Sequence, residues 1–136
     1  MTEALEYYKC NVCGNFVEIV LPGEGELVCC SQPMEKVKTQ DSSEEMTGEK
    51  HVPFIQKTQE GFDIKIGSIP HPMEEQHYIQ FIEVHSPDKK YVKRKYLYPN
   101  EEPVLKLKCG CNEIAARELC NIHGLWISEY KENEKE

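Results

Sequence analysis

The sequence predicts an all-β chain in two modules, a small cysteine-bound hairpin followed by an antiparallel β-sandwich. Three observations predict it. Cys10, Cys13, Cys29 and Cys30 crowd the start of the chain, in a stretch too short to build a core without a cross-link, a metal or a partner. Downstream, apolar residues recur at every second position, as in Phe62, Ile64 and Ile66 or Leu105, Leu107 and Cys109, the period of a half-buried strand. Turn formers break these runs at Gly61, Gly67, Pro70 with Pro72, Pro87-Asp88, Pro99-Asn100 and Pro103, a spacing that predicts about six or seven short antiparallel strands.

In chain order, Cys10-Asn11-Val12-Cys13 reads as a metal-binding knuckle, and Phe16-Val17-Glu18-Ile19-Val20 as a short strand. Pro22-Gly23-Glu24-Gly25 then turns the chain into a return strand through Leu27-Val28 to Cys29, giving a metal-centred hairpin in residues 1–38. Residues 39–48 are polar and lack a hydrophobic period, which predicts a linker. The sandwich is expected over residues 49–130, with Ile79 and Phe81, then Ala115, Arg117 and Leu119, adding further alternating runs. No long helix is expected. Pro70 and Pro72 restrict the backbone on both sides of His71 and predict a loop that presents its side chain. Residues 131–136, almost all charged, are expected to fray.

Charge narrows the function classes. A net charge of −8 over 136 residues repels phosphate backbones and leaves no basic stripe, so nucleic acid is not an expected partner. The start Met1-Thr2-Glu3-Ala4-Leu5-Glu6 lacks the basic residues and apolar core of a secretion leader. No apolar run approaches the ~18 residues of a membrane span. A cytoplasmic protein with no membrane partner is expected. In that reducing compartment the seven cysteines read as metal ligands ahead of disulfides, and their odd number prevents complete intrachain pairing.

Two ligand sets emerge. Cys10, Cys13, Cys29 and Cys30 offer four thiolates and no place for a substrate. A Cys-x2-Cys knuckle binds one metal from a tight turn, with the second pair supplied from elsewhere. That pair is contiguous here, which predicts a distorted angle at the metal. Four-cysteine sites take zinc or iron, and spacing does not choose between them. The second set gathers four of the five histidines and one cysteine in three short patches. These are Glu49-Lys50-His51, the run from His71 to His77, and Cys120-Asn121-Ile122-His123. Each histidine alone has a plain reading, as a turn, surface or strand-start residue. Together, four imidazoles and a thiolate fill five positions of a first-row metal and leave a sixth open to a small molecule.

At these residues the chain closely resembles the desulfoferrodoxins, two-iron superoxide reductases. The likeness covers nearly the whole chain. It includes Cys10-x2-Cys13 with Cys29-Cys30-Ser31-Gln32-Pro33-Met34, Glu49-Lys50-His51-Val52-Pro53, the run from Gly67 to His77, and the run from Ala116 to Trp126. The resemblance implies a desulforedoxin/rubredoxin-like iron module, an immunoglobulin-like sandwich and a homodimer. It also implies a catalytic iron with His51, His71, His77 and His123 in its plane and Cys120 on its axis. The implied reaction is one-electron reduction of superoxide to hydrogen peroxide, with electrons resupplied by a small carrier such as rubredoxin. Lys50, beside His51, would steer the anion and relay protons. Glu49 would close the sixth position of the oxidised iron. Amides of Ile122 and His123 would moderate electron donation by the Cys120 sulfur.

Cys109-Gly110-Cys111 falls outside this pattern. By spacing, Cys109, Cys111, Cys120 and His123 could form a zinc site, although that would strand the other three histidines. The plain reading is two free thiols at a strand end, and a disulfide under oxidation is a further option. His85, beside Ser86-Pro87-Asp88, reads as a surface turn residue.

Overall fold

The structure, a computed structural model, describes residues 1–43, 51–67 and 71–132. The chain divides into two compact units, Met1–Lys38 and Thr39–Glu136.

In the first unit β1 (Tyr7–Lys9) pairs antiparallel with β2 (Phe16–Glu18) on one side. A two-residue hairpin follows from β3 (Val28–Cys29) to β4 (Gln32–Pro33), and β5 (Glu35–Lys36) completes the first sheet in the order β2-β1-β5. This corrects the expected hairpin, in which the strand after Cys13 met the return strand ending at Cys29. The knuckle is itself the turn. The Gly14 amide donates to the Cys10 carbonyl at 3.0 Å and the Cys10 amide to the Asn15 carbonyl at 2.8 Å, so β2 folds straight back onto β1. The rings of Tyr7 and Phe16 then pack 5.1 Å apart. Leu5, Tyr7, Cys10 and Ile19 are the buried apolar residues of this unit, a core small enough that metal binding would contribute much of its stability.

The second unit contains, among the described residues, β6 (Thr39–Gln40), β7 (Pro53–Lys57), β8 (Gly61–Ile66), β9 (Ile79–His85) and β10 (Val92–Tyr96), followed by β11 (Val104–Lys108), β12 (Glu113–Cys120) and β13 (Gly124–Lys131). They form a five-stranded sheet, β10-β9-β12-β13-β6, and a three-stranded sheet, β11-β8-β7. The all-β sandwich expectation holds, since one core cluster draws Phe62, Ile64, Ile66 and Leu105 from one sheet and Ile82, Val84, Ile114, Ala116 and Cys120 from the other.

Three details differ from expectation. Thr39 and Gln40 are not linker, because they pair in parallel with Leu125 and Trp126. That strand and the charged β10 raise the strand number above the six or seven expected. Lys131 still pairs with Glu113, so the tail begins later. The rest of the expected linker beyond Ser43 and residues 133–136 lie outside the described residues. No helix among the described residues is long and apolar enough to cross a membrane.

The outer face of the larger sheet is also buried along β9 and β12. Arg117 lies opposite Glu83, its Nε donates to the Glu83 carboxylate, and the His85 ring meets the same carboxylate at 2.7 Å. His85 is therefore the end of a strand and a partner in a cross-strand cluster. It is not a surface turn residue.

Candidate metal centres

In the first unit the sulfurs of Cys10, Cys13, Cys29 and Cys30 all lie within 4.8 Å of one another. Cys13 Sγ is 3.6 Å from Cys29 Sγ, which is 3.9 Å from Cys30 Sγ. A tetrahedron with metal–sulfur bonds of about 2.3 Å has sulfur–sulfur edges of about 3.8 Å, so the cluster fits a four-coordinate metal. The contiguous pair is less distorted than its spacing suggests. Cys30 (φ 54°) and Ser31 (φ 63°) both occupy the left-handed region as the central residues of the β3–β4 turn, the backbone signature of a primed hairpin turn. This twist turns adjacent side chains toward one point.

The knuckle also prepares one thiolate. The Cys13 and Val12 amides each reach the Cys10 sulfur at 3.4 Å, and they pull its thiol down to about 6. Cys30 is pushed up to about 12 by its hydrogen bonds to the sulfurs of Cys13, Cys29 and Cys10. Crowded sulfurs share few negative charges unless a cation joins them.

The second cluster forms around His51. Its Nε2 lies 3.0 Å from His71 Nε2 and 3.0 Å from His123 Nδ1. Ring centroids step round a near-square: 4.6 Å from His51 to His71, 4.8 Å to His77, 5.0 Å to His123 and 4.6 Å back to His51. Successive rings are steeply inclined, at 69° to 79°. His51 and His77 face each other across the diagonal at 6.4 Å. A square of donors with 3.0 Å sides has its centre about 2.1 Å from each corner, the length of a metal–imidazole bond. Cys120 Sγ, within 4.8 Å of the His51, His71 and His77 donors and 3.9 Å from His123 Nδ1, supplies a fifth ligand atom. The donor set fits a single first-row metal ion.

The fold explains how residues so far apart in sequence converge. Cys120 ends β12 beyond a register shift after Leu119. A three-residue turn then carries His123, and Gly124 (φ 91°) provides the left-handed step into β13, as in a hairpin closed by a bulge. The His123 amide donates to the Cys120 sulfur at 3.4 Å, and the His123 carbonyl accepts from Gln40 Nε2 at 2.8 Å and Trp126 Nε1 at 3.1 Å. The Trp126 indole stacks on His51 at 5.1 Å. Asn121 clamps the segment bearing His77, since its Oδ1 accepts from the Tyr78 amide at 2.9 Å and its Nδ2 donates to the Gln76 carbonyl at 3.0 Å. Gln40, Asn121 and Trp126 escaped the sequence reading. Asn121 had one visible cue, its position between Cys120 and His123.

Protonation favours coordination. Burial, with nearby His51, His77 and His123 adding to it, lowers His71 to about 4 against the bond to Pro72, so the ring is neutral. Its Nδ1 donates to the Pro72 carbonyl at 2.7 Å, which turns Nε2 toward the cluster. Burial pushes the Cys120 thiol up, opposed by the His123 and Ile122 amides, so its thiolate needs a cation nearby. His51 and His71 are buried, His77 is half-buried and His123 exposed, so solvent reaches one side of the square. Glu49 and Lys50, expected beside His51, lie outside the described residues. Cys109 and Cys111 are disulfide-bonded to each other, neither free thiols nor partners of Cys120 in a zinc site. They stand at the opposite end of β12 from Cys120.

Two family models match the chain in sequence order: the desulfoferrodoxin N-terminal domain over residues 2–37 and desulfoferrodoxin over residues 43–129. The chain is 50% identical over 130 residues to a desulfoferrodoxin homolog of Archaeoglobus fulgidus, covering 94% of this chain and 99% of that one. It is 32% identical over 99 residues to a superoxide reductase of Pyrococcus abyssi, covering 60% and 86% of the two chains. The crystal structure of the superoxide reductase from Treponema pallidum matches with a TM-score of 0.70 at 22% identity, covering 91% of this chain and 97% of that one, a likeness of fold. Matched at both modules, and sharing half its residues with the Archaeoglobus fulgidus relative along almost its full length, the chain belongs to the desulfoferrodoxin family.

Proposed function

We propose that this protein is a superoxide reductase that converts superoxide to hydrogen peroxide at an iron held by His51, His71, His77, His123 and Cys120. The carrying observation is the square of imidazole donors, 3.0 Å on its measured sides, with one thiol close by and one edge open to solvent. Iron, when bound in its ferrous form, supplies the single electron that, with two protons, turns superoxide into hydrogen peroxide. The protein's part is to set the site for that exchange. Neutral imidazoles would leave the ion's positive charge undiminished, and the Cys120 thiolate would donate electron density to it. The amides of Ile122 and His123 draw on the same sulfur and temper that donation.

Cys10, Cys13, Cys29 and Cys30 would hold the second iron. Cys13 and Cys30 are exposed, so an electron carrier can approach this tetrathiolate, and rubredoxin is the carrier class we favour. Lys50 draws the anion toward the site through an otherwise acidic protein and relays protons. Glu49, next in sequence to Lys50, would offer its carboxylate to the iron between turnovers. We also assign a homodimer in the cytoplasm, where a reducing environment keeps the five ligand cysteines out of disulfides.

Metal analysis joined to pulse-radiolytic superoxide consumption tests this reading. Two irons per chain with rapid, stoichiometric peroxide production support it. Zinc in both clusters, or iron without superoxide consumption, would leave a non-catalytic metal protein.

A further inference from the structure

One pair of cysteines belongs to neither metal cluster. Cys109 and Cys111 flank Gly110 between β11 and β12 and are joined as a disulfide, with Cα atoms 5.3 Å apart, inside the range that a disulfide spans without backbone movement. As a staple this bond achieves little. It closes a loop with a single intervening residue, and the entropy that a cross-link removes from the unfolded chain grows with loop length. The flanking backbone is already fixed: the Cys109 amide donates to the Glu60 carbonyl at 2.9 Å and the Glu132 amide to the Asn112 carbonyl at 3.0 Å. Gly61 lies so close to β11 that a side chain there would run into the Leu107 carbonyl. The disulfide can therefore open and close while the strands keep their register.

Access and electrostatics suit exchange chemistry. Gly110 is exposed, and a Cβ built on it would meet nothing within 4 Å, so the space over the bond is open. Both half-buried cysteines line a groove of about 430 Å³ with His85, Tyr91, Lys93 and Glu113. Lys93 and Lys108 line the same groove, and cations near a thiol favour its thiolate, while Lys57 Nζ donates to the Cys111 carbonyl at 3.1 Å and holds the backbone there. The pair precedes Glu113, which opens β12 seven strand residues before Cys120, about 23 Å at about 3.3 Å per residue, so its chemistry is separate from that of the histidine cluster.

We propose that Cys109 and Cys111 form a thiol–disulfide redox site that low-molecular-mass thiols reduce and hydrogen peroxide re-oxidises. In reduction, the thiolate of a small thiol attacks one cysteine sulfur. The S–S bond breaks, a mixed disulfide forms, and the released cysteine sulfur takes the electron pair and then a proton. A second small thiol cleaves the mixed disulfide, leaving the protein dithiol and one oxidised small-molecule disulfide. In re-oxidation, a cysteine thiolate attacks peroxide, an S–O bond forms as the O–O bond breaks, and hydroxide leaves to be protonated. The second cysteine sulfur then displaces that oxygen as water and closes the S–S bond, so two thiols and one peroxide give one disulfide and two waters. Peroxide is also the product assigned to the iron site, but this proposal stands independently because peroxide can be added directly.

The test uses the iron-loaded full chain. It is equilibrated without oxygen in glutathione buffers of graded reduced-to-oxidised ratio, acid-quenched and alkylated, and the peptide carrying Cys109 and Cys111 is weighed. The expected result is a smooth passage between dithiol and disulfide across the series, and restoration of the disulfide in the reduced protein by equimolar peroxide. Cys111→Ser should trap a glutathione adduct on Cys109, with superoxide consumption and both metal absorptions unchanged. A disulfide that persists in the folded protein under excess thiol would overturn the proposal, as would a dithiol that peroxide leaves unoxidised. Loss of superoxide consumption by the unaltered chain, with the pair still cycling, would refute only the iron-site reading.

Discussion

Replacing Asn121 by Ala tests whether the histidine square depends on residues that bind no metal. The Asn121 side chain makes two bonds to the segment carrying His77, one from the Tyr78 amide at 2.9 Å and one to the Gln76 carbonyl at 3.0 Å. A third contact, from the Asn121 amide to the Tyr78 carbonyl at 3.1 Å, involves only backbone and survives. Each lost bond contributes about 1 kcal/mol net, so holding His77 in place is weakened by about 2 kcal/mol. At 1.4 kcal/mol per tenfold, that predicts iron at this site held about 30-fold less tightly, within the range expected when a partner that orients a ligand is lost. Competition with a graded chelator measures it, with the tetrathiolate absorption of the same chain as an internal reference. Asn121→Asp keeps the acceptor for Tyr78 but loses the donor to Gln76, so it should fall between wild type and Ala. Equal chelator midpoints for all three proteins would refute the clamp.

Cys120→Ser should abolish superoxide reduction and leave the tetrathiolate absorption intact; full activity would remove that sulfur from the ligands the reaction needs. Lys50→Ala should lower the second-order rate with superoxide, more at low ionic strength than at high, because the Debye length falls from about 30 Å at 0.01 M salt to about 10 Å at 0.1 M. An unchanged rate at both strengths would take Lys50 out of the mechanism. Stripping metal should abolish amide-exchange protection in the Met1–Lys38 unit while β9 and β12 stay protected; surviving protection of β1 would show that its small core suffices. Burial alone raises the Glu118 carboxyl well above its ordinary range, so the folded state keeps a proton that the unfolded chain releases. That stability is complete at acid pH and declines as pH rises through the ordinary glutamate range toward the folded value. Glu118→Gln should flatten the decline, as read by melting temperature from pH 4 to about 8.

The sequence displayed the donors and the strand period but not what holds the donors in place. His51, His71, His77, Cys120 and His123 sit in compact polar patches, and ligand chemistry depends on residue type, which is legible. Their alignment depends on hydrogen bonds that cross long stretches of chain: Gln40 reaches the His123 carbonyl and Asn121 the Gln76 carbonyl, contacts no local pattern encodes. The strands missed were those with the weakest alternation. Val92–Tyr96 carries Lys93, Arg94 and Lys95 because it forms the sheet edge, where charge discourages further pairing. Thr39–Gln40 is two residues long and parallel to β13, so it has no period to read. Nothing local in the sequence pairs Glu83 with Arg117, since burial on both faces of β9 and β12 emerges only when the sheet forms.

The two sulfur environments divide the work of assembling the protein. At Cys10 two amides at 3.4 Å hold the thiol near 6, so at neutral pH that site already holds an anion inside a unit whose fold is small enough to need metal. At Cys120 burial outweighs the His123 and Ile122 amides and keeps the thiol above its ordinary range, so its proton leaves only when a cation occupies the neighbouring imidazole square. Metal uptake at the second site therefore releases a proton from Cys120 together with its entry, and affinity there should climb with pH across the neutral range. Cys10 adds little to such a slope at the first site, but Cys30, held near 12 by its sister sulfurs, adds a full proton. Iron titrations at two pH values would show proton release at both centres. If uptake at the histidine site released none, Cys120 would already be ionised in the metal-free protein, and burial could not be the dominant influence on its sulfur.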